Sequence, residues 1–172
     1  MKRFLCYLLL MVAAFFLQNN VFAASTLIMT VPNILLILVF SFGFIRGSVD
    51  GMLLGFGCGL LTDVFFAGVL GASALIYTVL GYLIGLLGRY YYTEFADMPL
   101  ILCLISDLVY HLGVFVIMFL LRGQTHFWPY LTGVIVPELL YTAAVAIGLY
   151  PLLRRLNTLI EKWEVRKTKS FV

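Results

Sequence analysis

Charged side chains are scarce in this 172-residue sequence. Only 11% of its residues are Asp, Glu, Lys or Arg, whereas 63% are hydrophobic. A soluble domain carries about 25% charged residues, because its surface must be hydrated. Eleven basic and eight acidic residues cannot cover a water-soluble globule of this length. The sequence therefore predicts an integral membrane protein, and its net charge of +3 is too small to indicate nucleic-acid binding.

The sequence also lacks the motifs of common active sites. It has no GxxxxGK[ST] phosphate-binding loop, no HExxH zinc motif and no CxxC pair. Its three cysteines lie within apolar runs, where we expect inert buried thiols. The loops expected on the external side are too short to hold an active site. We therefore expect a protein without catalytic residues, cofactors or bound metal.

Six apolar runs are separated by short polar breaks, and we interpret each run as a membrane-spanning helix of a six-span, all-α bundle. Such a helix needs about 20 residues. The second and third runs are short, and the break between them, Arg46–Asp50, requires a tight helical hairpin. The sixth run is longer than needed and should tilt or extend into the cytoplasm. The runs are Phe4–Val21, Pro32–Ile45, Gly51–Phe66, Val69–Leu87, Pro99–Leu121 and Phe127–Leu153.

The lysines and arginines indicate the direction of the chain. With six crossings, ten of the eleven lie on one side and only Arg122 lies on the other. Positive residues are retained in the cytoplasm during insertion, so we expect both termini there. Alternatively, Met1–Ala24 is a cleaved signal peptide, which leaves five spans without moving the C-terminus. We favour a retained helix, because the apolar stretch reaches Val21 and exceeds the usual signal core.

Glycines recur at every fourth position in and just before the third run, which places them along one stripe of a helix. A stripe without side chains lets another helix approach closely, and helices in lipid associate largely through such packing. The fourth run contains a similar set of spaced glycines, Gly81, Gly85 and Gly88. We interpret the stripe and its flanking charges as a surface for helix packing or partner binding. This predicted surface comprises Arg46, Gly47, Gly51, Gly55, Gly59 and Asp63.

The order of these residues resembles the MreD family, small membrane proteins of the bacterial rod-shape system. The ordered pattern covers about 45 residues and begins at Pro32-Asn33, followed by leucines. Chain length, six spans and a basic C-terminal tail agree with the family over the whole sequence, whereas spans five and six carry no matching motif. The other matching positions are Arg46-Gly47, Gly51, Gly55, Gly59-Leu60-Leu61, Asp63, Gly68, Gly71, Leu75 and Tyr77.

The resemblance implies a role in cell shape rather than a reaction. MreD-like proteins act with MreC, the actin-like MreB, and RodA with its transpeptidase partner to direct peptidoglycan insertion along the side wall. It thus implies a non-enzymatic scaffold in the inner membrane that binds MreC, with RodA, its transpeptidase and MreB as further partners. The family's fold is similar to the substrate-binding membrane component of energy-coupling-factor transporters. A vitamin-type solute-binding component is therefore the alternative function.

Three ionisable residues, Asp107, His111 and Glu138, lie within predicted spans, where an Asp costs about 2.5–3.5 kcal/mol. Asp107 and His111 are four residues apart and share a helix face. At a rise of about 1.5 Å per residue, His111 and Glu138 reach similar depths, so they can meet. They form a structural network between spans five and six, a partner surface, or a proton or solute pathway. A metal site is not expected, because one mid-span histidine and scattered carboxylates lack a ligand set.

Asp63 lies near the outer end of span three and has two interpretations. It is either a helix-end residue in contact with interfacial water or a specific structural group. An acid occupies this place in the resembled family, which favours the second interpretation.

The C-terminal segment, residues 154–172, is predicted to be a basic amphipathic tail after a transmembrane domain of residues 1–153. Leu156, Leu159, Ile160 and Trp163 recur at helical spacing among charged residues. Basic side chains attract an anionic leaflet by about 1 kcal/mol each near the surface. The tail is therefore either a membrane-surface anchor or a docking site for a cytoplasmic partner.

Overall fold

The computed structural model describes residues 2–22, 31–66, 70–91, 98–118 and 127–168, and these residues form helices and no strand. The predicted all-α class is confirmed, and the helices coincide with the six predicted runs. In chain order they are α1 (Lys2–Phe16, continued by a π-helical turn, Leu17–Phe22), α2 (Ile34–Arg46), α3 (Ser48–Phe66), α4 (Ala72–Tyr91), α5 (Met98–Met118), α6 (Phe127–Tyr130, continued by a π-helical turn, Leu131–Ile135) and α7 (Val136–Thr168).

Four described helical segments are long and apolar enough to cross a membrane, which makes this a multi-pass membrane protein. The apolar part of α1 and the whole of α2 are shorter. Several sequence features lie outside the described residues: Ala24 of the signal-peptide alternative, Gly68, the span ends at Val69 and Leu121, and Arg122. The four long segments are Ser48–Phe66, Ala72–Arg89, Pro99–Ile117 and Trp128–Ile160.

Helix α2 is the centre of the bundle. It contacts α1, α3, α4, α5 and α7, and every residue from Ile34 to Phe44 is buried. The sequence explains this position, because α2 is apolar around its whole circumference, and such a helix is stable only when it is surrounded. Its one polar interior residue, Ser41, donates its hydroxyl to the carbonyl of Ile37 at 2.7 Å. Although α2 is shorter than the four long segments, it is therefore not peripheral but forms the core of the bundle.

Helices α2 and α3 form the predicted tight hairpin, and the connection is a single residue, Gly47. Gly47 has φ +105°, a left-handed conformation that side-chain-bearing residues rarely adopt. A Cβ at Gly47 would meet nothing within 4 Å. Gly47 nevertheless lies against α4, because a Cβ at Gly85 would overlap the backbone carbonyl carbon of Gly47, so this glycine serves the turn and also allows the close approach predicted for the stripe.

The remaining glycines of the stripe pack α3 against α4 of the same chain. A Cβ at Gly51 would overlap the carbonyl of Gly81, and one at Gly55 would overlap the carbonyl of Tyr77. At the far end, Gly59 lies against the backbone of Ala74. The paired residue numbers fall on α4 as they rise on α3, so the two helices are antiparallel. The stripe therefore lies in close contact with an internal helix, and its role as a surface for partner binding stays a prediction.

Helix α7 continues without interruption past Leu153, where the sequence predicted the end of the span. Its 33 residues span about 50 Å, well over the roughly 30 Å of a hydrocarbon core. Just beyond Leu153, Asn157 is buried, whereas Arg154 and Arg155 are exposed. The first turns of the tail are therefore an amphipathic continuation of α7 that packs against the bundle. The side chain of Trp163 lies outside the described part of the chain.

Candidate functional site

Asn33 is the centre of a buried polar cluster that joins four helices. It precedes α2, and its Oδ1 accepts the backbone N–H of Leu36 at 3.1 Å, which caps that helix. The same oxygen accepts the hydroxyl of Tyr77 from α4 at 2.7 Å. Asn33 Nδ2 donates to Asp107 Oδ1 on α5 at 3.3 Å, and its backbone N–H donates to Thr142 Oγ1 on α7 at 3.1 Å. One amide side chain and its own backbone thus fix the relative positions of α2, α4, α5 and α7.

Asp107, His111 and Glu138 extend this cluster on the α5–α7 side. His111 Nε2 lies 3.3 Å from Glu138 Oε1 and 3.8 Å from Asp107 Oδ1. The side chains of Asp107 and His111 are buried, and that of Glu138 is 15% exposed. The predicted meeting of these three residues is therefore observed. The sequence did not predict that α2 and α4 would join them.

The three side chains can hold a cation between them. One ligand atom from each residue lies within 4.8 Å of the others, so the premise that the carboxylates are scattered does not hold. Asp107 Oδ2 and His111 Nε2 are both buried and make no hydrogen bond within the described structure. An imidazole nitrogen and two carboxylates are typical ligands of borderline divalent metals. They can equally form a charge-paired tie between α5 and α7.

Asp63 has a structural role that differs from the interfacial-water interpretation. Its side chain is only 1% exposed, although it lies near the end of α3. Its Oδ2 accepts the backbone N–H groups of Gly71 and Ala74 at 2.9 Å each, and its Oδ1 accepts that of Ser73 at 3.0 Å. The first amides of a helix have no partners within that helix, and a carboxylate also complements the helix dipole there. Asp63 therefore caps α4 from the neighbouring helix.

Arg46 connects three helices at the opposite end of the bundle. Its Nη1 donates to the hydroxyl of Tyr7 on α1 at 3.0 Å, and its Nη2 donates to the backbone carbonyl of Asn157 on α7 at 3.4 Å. Its Nε donates to the side-chain oxygen of Asn157. The guanidinium also lies 5.8 Å from the centroid of the Tyr7 ring. Arg46 is therefore an internal connector of α1, α2 and α7.

Two cavities lie away from the polar cluster. One of about 580 Å³ lies beside Arg46, where the α2–α3 turn meets the last turns of α4 near Arg89. The other, of about 350 Å³, has a largely apolar lining from α2, α5 and α7. Neither cavity is lined by Asp107, His111 or Glu138. The polar groups of the cluster therefore face each other and not these two cavities.

The sequence interpretation did not assign roles to Asn33, Tyr77, Tyr7 and Asn157. A signal existed for Asn33, because an asparagine directly before an apolar run is a typical helix N-cap. Tyr77 was part of the family pattern but had no physical role attached to it. Asn157 is an uncharged polar residue within a basic segment, and nothing in its spacing indicates Arg46 as its partner.

These features define a multi-pass helical membrane protein whose described polar side chains largely connect its own helices. The chain belongs to the MreD family: the family model described as rod shape-determining protein MreD matches residues 1–160. The family resemblance inferred from the motifs is thus confirmed, and it extends to α5 and α7, where no motif was recognised. The chain matched no curated protein and no solved structure.

Proposed function

We propose that this protein is a non-enzymatic scaffold of the bacterial cell-elongation machinery, which supports rod shape and side-wall peptidoglycan synthesis. It binds MreC and, through MreC, RodA with its transpeptidase partner, while MreB contacts the cytoplasmic face. The observation that carries the proposal is the membership of the rod-shape-determining family. The use of Asn33, Asp63 and Arg46 as connectors between the chain's own helices supports it, because these groups are then committed to structure rather than to chemistry.

The outer helix faces are the surfaces through which such a scaffold can act. Only 17% of the spanning part of α7 and 28% of that of α5 is buried within the chain, against 56% for α4. Helices in a membrane associate by close side-chain packing, which needs an accessible face. We therefore propose that α7 and α5 offer more surface to a partner's helix than α4 does.

We also propose that the fold is similar to that of the energy-coupling-factor component, whereas the solute-binding function is the alternative to the scaffold. A solute-binding protein should enclose its solute with convergent polar groups. The polar cluster of this chain lines neither of the two described cavities, so the cluster itself offers no observation that favours solute binding.

We further propose that the chain crosses the bacterial inner membrane six times and has both termini in the cytoplasm. The positive-inside rule supports this orientation, since ten of eleven basic residues then lie on one side. Retention of α1 is supported by its packing, because Tyr7 and Met11 are buried and Tyr7 accepts a hydrogen bond from Arg46. A chain without α1 would expose these contacts.

The orientation is tested with alkaline phosphatase, which is active only outside the cytoplasm. A fusion after Val172 should be inactive, whereas an insertion between Gly123 and His126 should be active. The intact mass of the purified chain should include Met1–Ala24. An active C-terminal fusion would contradict the orientation, and a product that starts near Ala24 would reduce the count to five spans.

Binding of MreC is tested by affinity purification of the tagged chain from membranes in a mild detergent. Full-length MreC should co-purify with the unaltered protein. Tryptophan substitutions on exposed positions of α7, Leu140→Trp and Ile147→Trp, should reduce its recovery severalfold, because a larger side chain disrupts a packed helix interface. Matched substitutions on exposed positions of α4, Leu75→Trp and Val79→Trp, should have less effect. The absence of MreC from the unaltered sample would contradict the proposed partner.

A further inference from the structure

We propose that Asp107, His111 and Glu138 form a binding site for a single zinc ion that bridges α5 and α7. The proposal goes beyond the scaffold function and does not depend on it. Three side chains from two helices offer one imidazole nitrogen and two carboxylates, all within 4.8 Å. Asp107 and His111 lie one helical turn apart, a spacing that directs both toward one ion.

The separations between the ligand atoms are comparable with those of a zinc coordination shell. Zinc bonds to nitrogen and oxygen are about 2.0–2.1 Å long, so neighbouring ligand atoms in a tetrahedron are about 3.3 Å apart. His111 Nε2 and Glu138 Oε1 are 3.3 Å apart, and His111 Nε2 and Asp107 Oδ1 are 3.8 Å apart. The first separation already matches the shell, whereas the Asp107 carboxylate would have to move closer to the other ligand atoms, which lie within 4.8 Å, and a water molecule would be the fourth ligand.

Two buried atoms of the site have no hydrogen-bond partner outside the three residues. Asp107 Oδ2 and His111 Nε2 make no hydrogen bond within the described structure, although the side chains of both residues are buried. An unpaired polar atom in such a position costs about 1–3 kcal/mol, so native structures nearly always satisfy it. His111 Nε2 lies within 3.8 Å of an oxygen of each carboxylate, so one ion could contact all three side chains. A metal would satisfy both orphan atoms at once.

Charge balance and support from neighbouring residues favour the same occupant. Two carboxylates side by side within a membrane repel one another and are poorly solvated, and a divalent cation neutralises both. Asn33 Nδ2 donates to Asp107 Oδ1, which fixes the orientation of the carboxylate. Such outer contacts are typical of metal sites. An imidazole with carboxylates suits zinc better than magnesium or calcium, which prefer oxygen ligands alone.

The site is tested on the full-length chain, purified in detergent, stripped with a chelator, loaded with a small molar excess of zinc and dialysed to remove the unbound metal. Elemental analysis should find one zinc per chain. The affinity, measured by competition with a chromophoric chelator, should fall at least tenfold in His111→Gln and in Glu138→Gln. His126→Gln is the matched control, because the chain has two histidines, and it should bind zinc like the unaltered protein. Zinc should also raise the unfolding temperature of the unaltered chain and not that of His111→Gln.

Each possible result either supports or overturns the site. Zinc that is absent from the unaltered chain, or retained at full affinity by both His111→Gln and Glu138→Gln, would overturn it. If the two variants do not fold, cobalt titration of the unaltered chain decides, since a four-coordinate site with a histidine ligand gives intense visible absorption. A spectrum of six-coordinate cobalt only, or tighter binding of manganese than of zinc, would contradict the assignment.

Discussion

Gly55→Leu should prevent α3 and α4 from packing together and should destabilise the chain by more than about 3 kcal/mol. A Cβ at this position would already overlap the backbone carbonyl of Tyr77, and backbone cannot rotate away as a side chain can. The helices would have to move apart along the whole stripe. Tyr77 would then be displaced from Asn33, so the damage would reach the polar cluster. The measurement is the unfolding midpoint and the monodisperse fraction of the purified chain in mild detergent.

Two controls on the same helix separate close backbone packing from a general sensitivity of α3. A Cβ at Gly57 would meet only the flexible end of the Met11 side chain, so Gly57→Ala should be tolerated. Leu53 is 53% exposed on the opposite face, and Leu53→Ala should have little effect on stability. If Gly55→Leu were as stable as these two controls, the close α3–α4 contact would be refuted.

Asp63→Ala should have the second large effect, a loss of roughly 3–5 kcal/mol. It would remove the acceptor of three backbone amides, of which two, those of Ser73 and Ala74, lie in buried residues. Each buried amide left without a partner costs about 1–3 kcal/mol, and water would recover part of the loss near the helix end. The first turn of α4 should fray as a result. Hydrogen exchange of the Ser73 and Ala74 amides, together with the unfolding midpoint, measures both consequences.

Thr62→Ala is the matched control for Asp63. Thr62 is the neighbouring residue, and its hydroxyl donates only to the carbonyl of Cys58 within the same helix. Its loss should change stability by less than about 1 kcal/mol. Equal protection of the α4 amides in Asp63→Ala and Thr62→Ala would show that the carboxylate does not cap α4.

The sequence was sufficient to predict the class of protein and the order of its helices. A lipid bilayer requires long apolar runs and few charged residues, and both are visible in the sequence. It also predicted the hairpin at Arg46–Asp50 and the close packing of the glycine stripe, since both depend on local spacing. The stripe's partner could not be predicted in this way. The spacing of the glycines predicts that the backbone of another helix can approach the stripe. Whether that helix is α4 or belongs to another protein depends on the tertiary arrangement.

The polar groups were the least predictable part of the fold. Asp107 and His111 are one helical turn apart, so their proximity was expected from sequence. The contacts of Asn33 with Tyr77, Asp107 and Thr142 span 44 to 109 residues of the chain, and no local rule pairs such positions. The role of Asp63 was equally unpredictable, because a helix cap that is supplied by a residue of a neighbouring helix has no sequence signature of its own.

The polar contacts also give a structural role to several residues that carry the family resemblance. Asn33, Arg46, Asp63 and Tyr77 each connect different helices, and the stripe glycines permit the contact between α3 and α4. The pattern thus describes a packing scheme rather than a reaction centre. The proposed scaffold function would need such rigidity, because a scaffold presents fixed outer faces to its partners.

Cell shape after depletion tests the central claim most directly. In a rod-shaped bacterium that depends on this protein, depletion should give rounded, swollen cells while septal division continues for a time. Re-expression of the unaltered chain or of Leu53→Ala should restore rods, whereas Gly55→Leu should not, because its helices cannot pack. Cells that remain rods of normal width after the protein has become undetectable would contradict the scaffold function.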